Sequence, residues 1–187
     1  MASRQAAHPR IQSCPDIYNM DRAMHASVLQ VNVSRGGVIK MPIPRGTVNS
    51  LGLEGDGHAH PRIHGGPRQA LLFITSEGID ELMATGFPVY YGALGENITT
   101  RGLDRRTMRI GQRYRVGHIV VELTKVRIPC NALDIYGRGI QEAMYDRDVR
   151  AGDALSPLWG LSGFYASVMR AGTIDIGDPI QLLDEAA

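Results

Sequence analysis

Short apolar runs and short alternating segments recur along the chain, and glycine-containing turns separate them. Residues 28–33 alternate between apolar and polar positions, which is typical of a strand, and residues 70–74 form a continuous apolar run, which is typical of a buried strand. Turns are indicated at residues 35–37 and 117–118. The predicted strands are residues 28–33, 38–43, 70–74, 114–116, 119–126, 164–169 and 180–183. Residues 94–100 are predicted to begin as a loop and to continue as a strand.

One helix is predicted directly after the strand at residues 70–74. Thr75 or Ser76 caps it, Ile79, Leu82 and Met83 share one face, and a glycine at position 86 ends it. Residues 131–148 are predicted to form one or two short helices.

This spacing of strands and turns predicts a mainly β fold, a barrel-like domain with a few short helices. We find no internal repeat and no linker, so we expect one domain over residues 27–187, preceded by a loose arm over residues 1–26. A chain of 187 residues is long enough to bury a core without disulfides or structural metal.

Composition excludes several classes of protein. A hydrophobic content of 43% with 21% charged residues is that of a globular chain rather than a disordered one. The formal net charge of +1 provides no bulk attraction to nucleic acid or to a membrane surface. No apolar segment has the length of a signal peptide or of a membrane span, so we expect a cytoplasmic protein. Two cysteines, Cys14 and Cys130, cannot form a disulfide framework.

A long polar loop, from about residue 46 to residue 67, carries the first candidate cluster. Asp56, His58, His60 and His64 could ligate a metal, because imidazole and carboxylate suit zinc or iron, although the spacing matches no standard zinc pattern. The same side chains could instead bond to the backbone and hold the loop in shape. A third possibility is that the backbone at residues 65–66 holds an anion.

The second candidate is Cys130, which follows the predicted strand at residues 119–126. Pro129 ends the strand, and the thiol is then a soft metal ligand or a nucleophile whose ionised form Arg127 would favour. The alternative is a small buried hydrophobic residue, and the residues alone leave both open. Glu96 and Asn97 after a glycine, and Tyr165 on a late strand, are weaker candidates, since each is also an ordinary turn or strand residue.

Taken together and in order, these segments resemble the MOSC domain family, named after the C-terminal region of molybdenum cofactor sulfurase. The resemblance covers residues 28–183, nearly the whole chain. The matching segments are GLEGD at 52–56, HGGP at 64–67 followed by QA at 69–70, GENI at 95–98, IG at 110–111, RIPC at 127–130, SGFY at 162–165 and GD at 177–178. Arg68 departs from the family pattern, which commonly has an acidic residue there.

The resemblance implies a β-barrel of MOSC type that binds the molybdenum–pyranopterin cofactor. It implies that Cys130 is the metal ligand, that Arg127 tunes the thiolate or holds an anionic group, and that Asp56 lies on the opposite wall of the site. These three are the predicted catalytic residues. The predicted cofactor-binding residues are His64, Gly65, Gly66, Glu96, Asn97 and Tyr165.

The activity implied by the resemblance is reduction of N-hydroxylated small molecules. Electrons would come from a partner protein of ferredoxin or flavoprotein type, because the chain has no clustered cysteines and no second domain of the larger family members. One alternative is a carrier that exchanges molybdenum cofactor or sulfur with a donor or acceptor protein. The other is a hydrolase with a metal on His58, His60 and His64. Neither nucleic acid nor a membrane is an expected partner.

Overall fold

The computed structural model describes residues 26–57 and 65–184. It contains eleven strands over these residues, joined by short helices and turns. The strands are β1 (Ser27–Val33), β2 (Met41–Ile43), β3 (Arg45–Asn49), β4 (Gly52–Leu53), β5 (Leu71–Thr75), β6 (Ile98–Arg101), β7 (Arg113–Val116), β8 (Ile119–Val126), β9 (Phe164–Arg170), β10 (Gly172–Asp175) and β11 (Ile180–Asp184). The helices are α1 (Ser76–Ala84), α2 (Ile140–Met144) and α3 (Arg147–Arg150), with 3-10 turns at Pro67–Gln69, Arg105–Thr107 and Asn131–Tyr136. The prediction of a mainly β fold is confirmed.

The strands form two sheets. The larger has eight strands in the order β11-β7-β8-β9-β5-β6-β1-β2, and the smaller has the order β10-β3-β4. All described pairings are antiparallel except that between β5 and β6. Helix α1 lies between these two strands in the chain, as expected, since parallel neighbours need a crossover connection.

The first strand also contacts the segment that enters β11. Ser27 forms an isolated antiparallel bridge with Pro179, and the Ile180 N–H donates to the Ala26 carbonyl at 2.7 Å. These contacts bring β11, at one edge of the large sheet, close to β1, which lies next to the strand at the opposite edge. The strand pairings themselves leave both sheets open, so closure into the expected barrel stays a prediction.

Strand β5 explains why the chain has a continuous apolar run at this point. Leu71 and Phe73 belong to one hydrophobic cluster, which lies along the large sheet. Leu72 and Ile74 point the other way into a second cluster, which also contains Ile79 of α1. Alternate residues of a strand face opposite sides, so a strand covered on both sides needs apolar residues throughout. Each fully buried leucine or isoleucine there contributes roughly 2 kcal/mol to folding.

The predicted helix is observed as α1, with one difference in its buried face. Thr75 is its N-cap, and the Thr75 Oγ1 accepts a 3.2 Å hydrogen bond from the Gly78 N–H. Leu82 is buried, whereas the Met83 side chain is 48% exposed. The expectation for Met83 was wrong because α1 packs through a narrower stripe than the apolar pattern indicated. The short helices predicted over residues 131–148 are observed.

Two other predictions need correction. The polar loop expected from residue 46 contains strand β3, which pairs with β10 and with β4. β3 has five residues, and only Gly46 and Val48 are buried. A segment this short and this polar shows no clear strand pattern in its sequence. The strand expected at 38–43 begins only at Met41.

The proposed arm lies, apart from residue 26, outside the described residues. Within the described ranges, no helix is long and apolar enough to cross a membrane.

Candidate functional site

A cavity of about 600 Å³ lies where β8 ends and the following loop passes over β5 and β9. Its volume is within the range of small-molecule and cofactor sites. The wall combines apolar surface with amide, amine, guanidinium, phenol and thiol groups. The lining residues are Gly37, Val38, Lys40, Gly57, Gly65, Gln69, Leu72, Leu94, Gly95, Asn97, Lys125, Arg127, Ile128, Pro129, Cys130, Asn131, Ala132 and Tyr165.

Cys130 lies in this wall, in the loop that leaves β8. It is a free, half-buried cysteine at the N-terminal boundary of the 3-10 turn Asn131–Tyr136. Two hydrogen bonds fix the start of the loop: the Arg127 N–H donates to the Gly163 carbonyl at 2.8 Å, and the Ser162 hydroxyl donates to the Arg127 carbonyl at 2.6 Å. The loop is therefore anchored to the start of β9, three residues before the cysteine.

Gly163 allows this anchoring because its backbone has a φ of +93°. A Cβ at this position would lie 2.6 Å from the Phe73 carbonyl oxygen and 2.6 Å from a side-chain carbon of Ile74. Neither contact is possible for a real Cβ, so only glycine fits here. The glycine of the SGFY segment thus has a structural role at the site.

Arg127 is the buried cation of the cavity. Its side chain is 5% exposed, and its Nη1 has no hydrogen-bond partner among the described residues. Burial lowers the pKa of Arg127, and interactions with Tyr165, Cys130 and Glu96 oppose that change. The guanidinium of arginine has a very high ordinary pKa and stays protonated in proteins. The cavity wall therefore carries a positive charge at Arg127.

Lys40 and Asp56 form a second charged group, as a buried ion pair. The side chains are 5% and 4% exposed, and the Lys40 ammonium donates to the Asp56 Oδ2. Asp56 also accepts a 2.9 Å hydrogen bond from the Ser34 N–H and a 2.8 Å hydrogen bond from the Asn97 amide. Burial lowers the pKa of Lys40, while Asp56 and Glu96 oppose the change. Asp56 thus orients two cavity residues without lining the cavity itself.

Lys125 and Tyr165 lie next to each other on the same wall. The Lys125 Nζ is 5.3 Å from the centre of the Tyr165 ring, a cation–π distance. Burial raises the pKa of Tyr165, and the Arg127 charge opposes this rise. The tyrosine therefore stays neutral at ordinary pH and offers the cavity a hydroxyl donor and an aromatic face.

Glu96 lies behind the wall. Its side chain is fully buried, and its Oε1 accepts hydrogen bonds from the Gly92 N–H and, at 3.1 Å, from the Thr99 hydroxyl. Its Oε2 has no partner in the part of the chain that the structure describes. Burial raises the pKa of Glu96, against the effect of these hydrogen bonds and of Arg127. A hydrogen bond from Glu96 to a pterin stays a prediction; Glu96 itself does not line the cavity.

The structure thus brings together part of the predicted site. Cys130, Arg127, Asn97, Tyr165 and Gly65 line one cavity, although the sequence separates them widely. Gly66 precedes the 3-10 turn Pro67–Gln69 and does not line the cavity.

The histidines of the predicted cluster, His58, His60 and His64, lie outside the described residues, as does Cys14. Their predicted roles therefore stay predictions. Over residues 26–57 and 65–184, no group of three or more histidine, cysteine or acidic side chains is placed to hold a metal ion.

Sequence reasoning missed Lys40 and Lys125 as site residues. They are the only two lysines in a chain whose twenty basic residues are otherwise arginine, and both line the cavity. That skew was the available signal. The lysine ammonium is a compact charge, unlike the planar guanidinium of arginine.

Comparisons with known proteins point to one family. The model of the MOSC domain matches residues 60–181. The chain is 28% identical over 145 residues to protein YiiM of Escherichia coli (strain K12), a match that covers 75% of this chain and 60% of that protein. It is 30% identical over 134 residues to the uncharacterized protein YflK of Bacillus subtilis (strain 168), covering 70% of this chain and 55% of YflK. The chain therefore spans less than two thirds of these relatives.

A third relative is named for an activity. A protein named reductase from Gibberella moniliformis (strain M3125 / FGSC 7600) is 29% identical over 141 residues, which cover 73% of this chain and 23% of that protein.

Solved structures share the fold. YiiM from Geobacillus stearothermophilus superposes with a TM-score of 0.64 at 24% identity, covering 85% of this chain and 75% of that one. YiiM from Escherichia coli gives the same TM-score and identity, covering 88% and 72%.

Proposed function

The chain belongs to the MOSC domain family, and from this premise we propose that it binds the molybdenum cofactor and reduces N-hydroxylated small molecules. The observation that carries the proposal is the cavity shared by Cys130 and Arg127. A free thiol borders the same space as a buried guanidinium, one N–H of which has no partner within residues 26–57 and 65–184. A soft sulfur ligand and a fixed cation are the groups that a metal–pterin ligand with a phosphate requires.

The residues present fit this cofactor in size and in chemistry. A space of about 600 Å³ suits a cofactor, and Lys40, Lys125 and Arg127 place three basic groups on its wall. Asp56 is the carboxylate paired directly with one of them. The orphaned Arg127 Nη1 is the most specific sign, since buried donors without a partner are rare in folded proteins. An anionic group of a ligand would satisfy this N–H.

The roles of the chain's own residues follow from these positions. Cys130 would hold the metal through sulfur, and Arg127 and Lys125 would bind the negative charge of the cofactor. Asp56 keeps Lys40 and Asn97, two residues that line the cavity, in place through its hydrogen bonds. When bound, the cofactor would supply the two-electron redox chemistry, which none of these side chains provides.

The proposed reaction class is the one that the family resemblance implies. The relative from Gibberella moniliformis that is named reductase supports it. Reduction of an N-hydroxylated compound breaks the N–O bond, consumes two electrons and two protons, and releases water. The electrons would come from a partner protein of ferredoxin or flavoprotein type.

The experiment combines metal analysis with an activity assay on protein made in a host that synthesises the cofactor. Stoichiometric molybdenum, together with reduction of an amidoxime by an artificial electron donor, supports the proposal. Molybdenum without reduction, but with transfer of the cofactor to an acceptor protein, supports the carrier alternative. Zinc without molybdenum would support a hydrolase that uses the histidine cluster, and it would contradict both other functions.

The proposal includes the barrel closure expected for the family. The contacts of Ser27 with Pro179 and of Ala26 with Ile180 support it, because they join β1 to the segment that enters β11. Closure would also remove the exposed edge of β11. Hydrogen exchange would test it: the β11 amides should be protected to the same extent as those of the central strands.

A further inference from the structure

Two large apolar side chains are exposed beside the opening of the cavity. Ile128 lines the cavity and is 61% exposed, and Ile135, in the 3-10 turn that follows, is 64% exposed. Side chains three residues apart lie on the same side of a 3-10 turn. This turn follows the rule, because Leu133 and Tyr136 are both buried whereas Ala132 and Ile135 are both exposed. Since Ala132 lines the cavity, Ile135 extends the same apolar surface outwards from it.

The exposed charge at this opening is positive. Among the residues that the structure describes, the exposed charged ones that line the cavity or directly adjoin a lining residue are Lys125 and Arg68. The acidic side chains that adjoin lining residues, Asp56 and Glu96, are buried. The Thr124 hydroxyl donates a 2.6 Å hydrogen bond to the Arg68 carbonyl, so the Arg68 backbone lies beside the strand that carries Lys125. The net charge of the whole chain is only +1, so this positive charge is a local feature.

These residues extend beyond the cavity. Arg68 and Ile135 do not line it, so a small molecule held inside the cavity would leave both side chains in solvent. A larger partner could contact them together with Ile128, Ala132 and Lys125. Neighbouring exposed apolar side chains mark sites of protein association, and an apolar centre with a polar rim is the usual composition of such a site. We call these five residues the opening surface.

We propose that the opening surface docks an acidic redox protein, which delivers electrons to the group bound in the cavity. The inference rests on the proposed function, in which cleavage of the N–O bond takes up two electrons and two protons and releases water. The partner is oxidised by the loss of these two electrons, and solvent supplies the protons. A donor must come close to its acceptor, and the opening is the side from which a protein can approach the cavity.

The chemistry of the opening surface defines the partner. Arg68 and Lys125 pair with carboxylates, so the partner carries aspartate and glutamate around its own redox centre, and complementary charge speeds their encounter. Arg68 stands where the family pattern commonly has an acidic residue, so this chain has the opposite charge at that position. The surface is small, as is usual for the brief contacts of electron-transfer proteins.

Other occupants fit these observations less well. A second copy of the chain would bring the basic residues of two opening surfaces together, and like charges repel. An anionic membrane would attract the same basic residues, but it would supply no electrons to the cavity.

The first test measures binding to the full chain without cofactor, so it does not depend on activity. The probes are an acidic flavodoxin and an acidic ferredoxin, titrated by calorimetry at low ionic strength. The wild type should bind a probe, and added sodium chloride should weaken binding. Ile135→Ser and Arg68→Glu should each lower the affinity by about tenfold.

The controls are matched exposed residues away from the cavity. Ile176→Ser changes an isoleucine that is 51% exposed, and the next residue, Gly177, bonds to Val28 of β1. Arg115→Glu reverses an exposed charge on β7. Both control variants should bind the probes as the wild type does.

Three results of this test would overturn the proposal. The first is that neither probe binds the wild type, or that all four variants bind with equal affinity. The second is that only vesicles of anionic phospholipid bind, with loss of binding in Ile135→Ser and Arg68→Glu. The third is that sedimentation shows a dimer of the wild type that Ile135→Ser dissociates, since a second copy would then cover the opening surface.

The second test uses cofactor-loaded protein and two electron donors. With a small artificial dye as the donor, Ile135→Ser and Arg68→Glu should reduce an amidoxime as fast as the wild type does. With the reduced probe protein as the donor, both variants should be about tenfold slower at low donor concentration, because docking limits the rate. Equal rates of variants and wild type with the protein donor would refute docking at this surface. A wild type that is inactive with the dye would instead refute the proposed function, and the binding test would still decide on the opening surface.

Discussion

The side-chain amide of Asn97 donates a 2.8 Å hydrogen bond to the carboxylate of Asp56, which lies 41 residues earlier in the chain. The same carboxylate binds the Lys40 ammonium, and both donors line the cavity. Asn97 is also fixed from its other side, because its Oδ1 accepts a 3.1 Å hydrogen bond from the Leu72 N–H of β5. One carboxylate outside the cavity thereby sets the positions of two groups inside it.

Replacing Asp56 tests this arrangement. Asp56→Ala leaves the Lys40 ammonium buried without its partner, so we expect the free energy of unfolding to fall by about 3 kcal/mol. The measurement is urea denaturation of the cofactor-free protein. Asp175→Ala serves as the control, since it breaks the more exposed ion pair with Arg45 and should cost less than about 1 kcal/mol. Equal losses in the two variants would mean that Asp56 has no special structural role.

Cys130→Ser separates metal binding from packing. The substitution keeps the size of the side chain but removes the soft donor, and the half-buried site at the cavity edge tolerates it. We expect nearly unchanged Tm without cofactor, together with loss of molybdenum and of amidoxime reduction. The same change at Cys14 should affect neither. Full activity in Cys130→Ser, or a much lower Tm without cofactor, would make Cys130 a packing residue.

Arg127→Met tests anion binding by the cavity. Inorganic phosphate should raise the Tm of the cofactor-free wild type, because the unpartnered Arg127 N–H provides a charged donor. The variant loses a charge-assisted hydrogen bond, so its affinity for phosphate should drop by about tenfold or more. Calorimetric titration gives the affinity. Arg106→Met, at an exposed arginine paired with Asp104, should bind phosphate as the wild type does, and equal affinities in both variants would contradict the prediction.

The stability of the protein should depend on pH through Glu96. Its pKa is raised in the folded state above the ordinary value of 4.5. The neutral form therefore favours folding, and this contribution is fully present below pH 4.5 and is lost as pH rises through the folded-state pKa. We expect Glu96→Gln to gain stability relative to wild type as pH rises from 4 to 8. Urea denaturation across this range measures it, with Glu54→Gln, at an exposed position, as the control. A difference that shrinks with rising pH would show the opposite shift.

The sequence by itself determined the family, the mainly β class and most strands of the large sheet. The continuous apolar run of β5 and the alternating pattern of β1 both predict strands. A strand buried on both faces needs apolar residues throughout, and a strand buried on one face needs them at alternate positions. The RIPC and GEN segments likewise carried enough specific chemistry to indicate Cys130, Arg127 and Asn97 as site residues.

Only the tertiary structure decided how these residues are arranged. The strand β3 exists because β10 pairs with it across the chain, and no local pattern in its five residues requires that. Glu96 and Asn97 are neighbours in sequence, yet Asn97 lines the cavity while Glu96 lies behind it. Lys40 reaches the cavity from the loop before β2, and Lys125 reaches it from β8. Such contacts depend on long-range packing, which residue types at single positions do not specify.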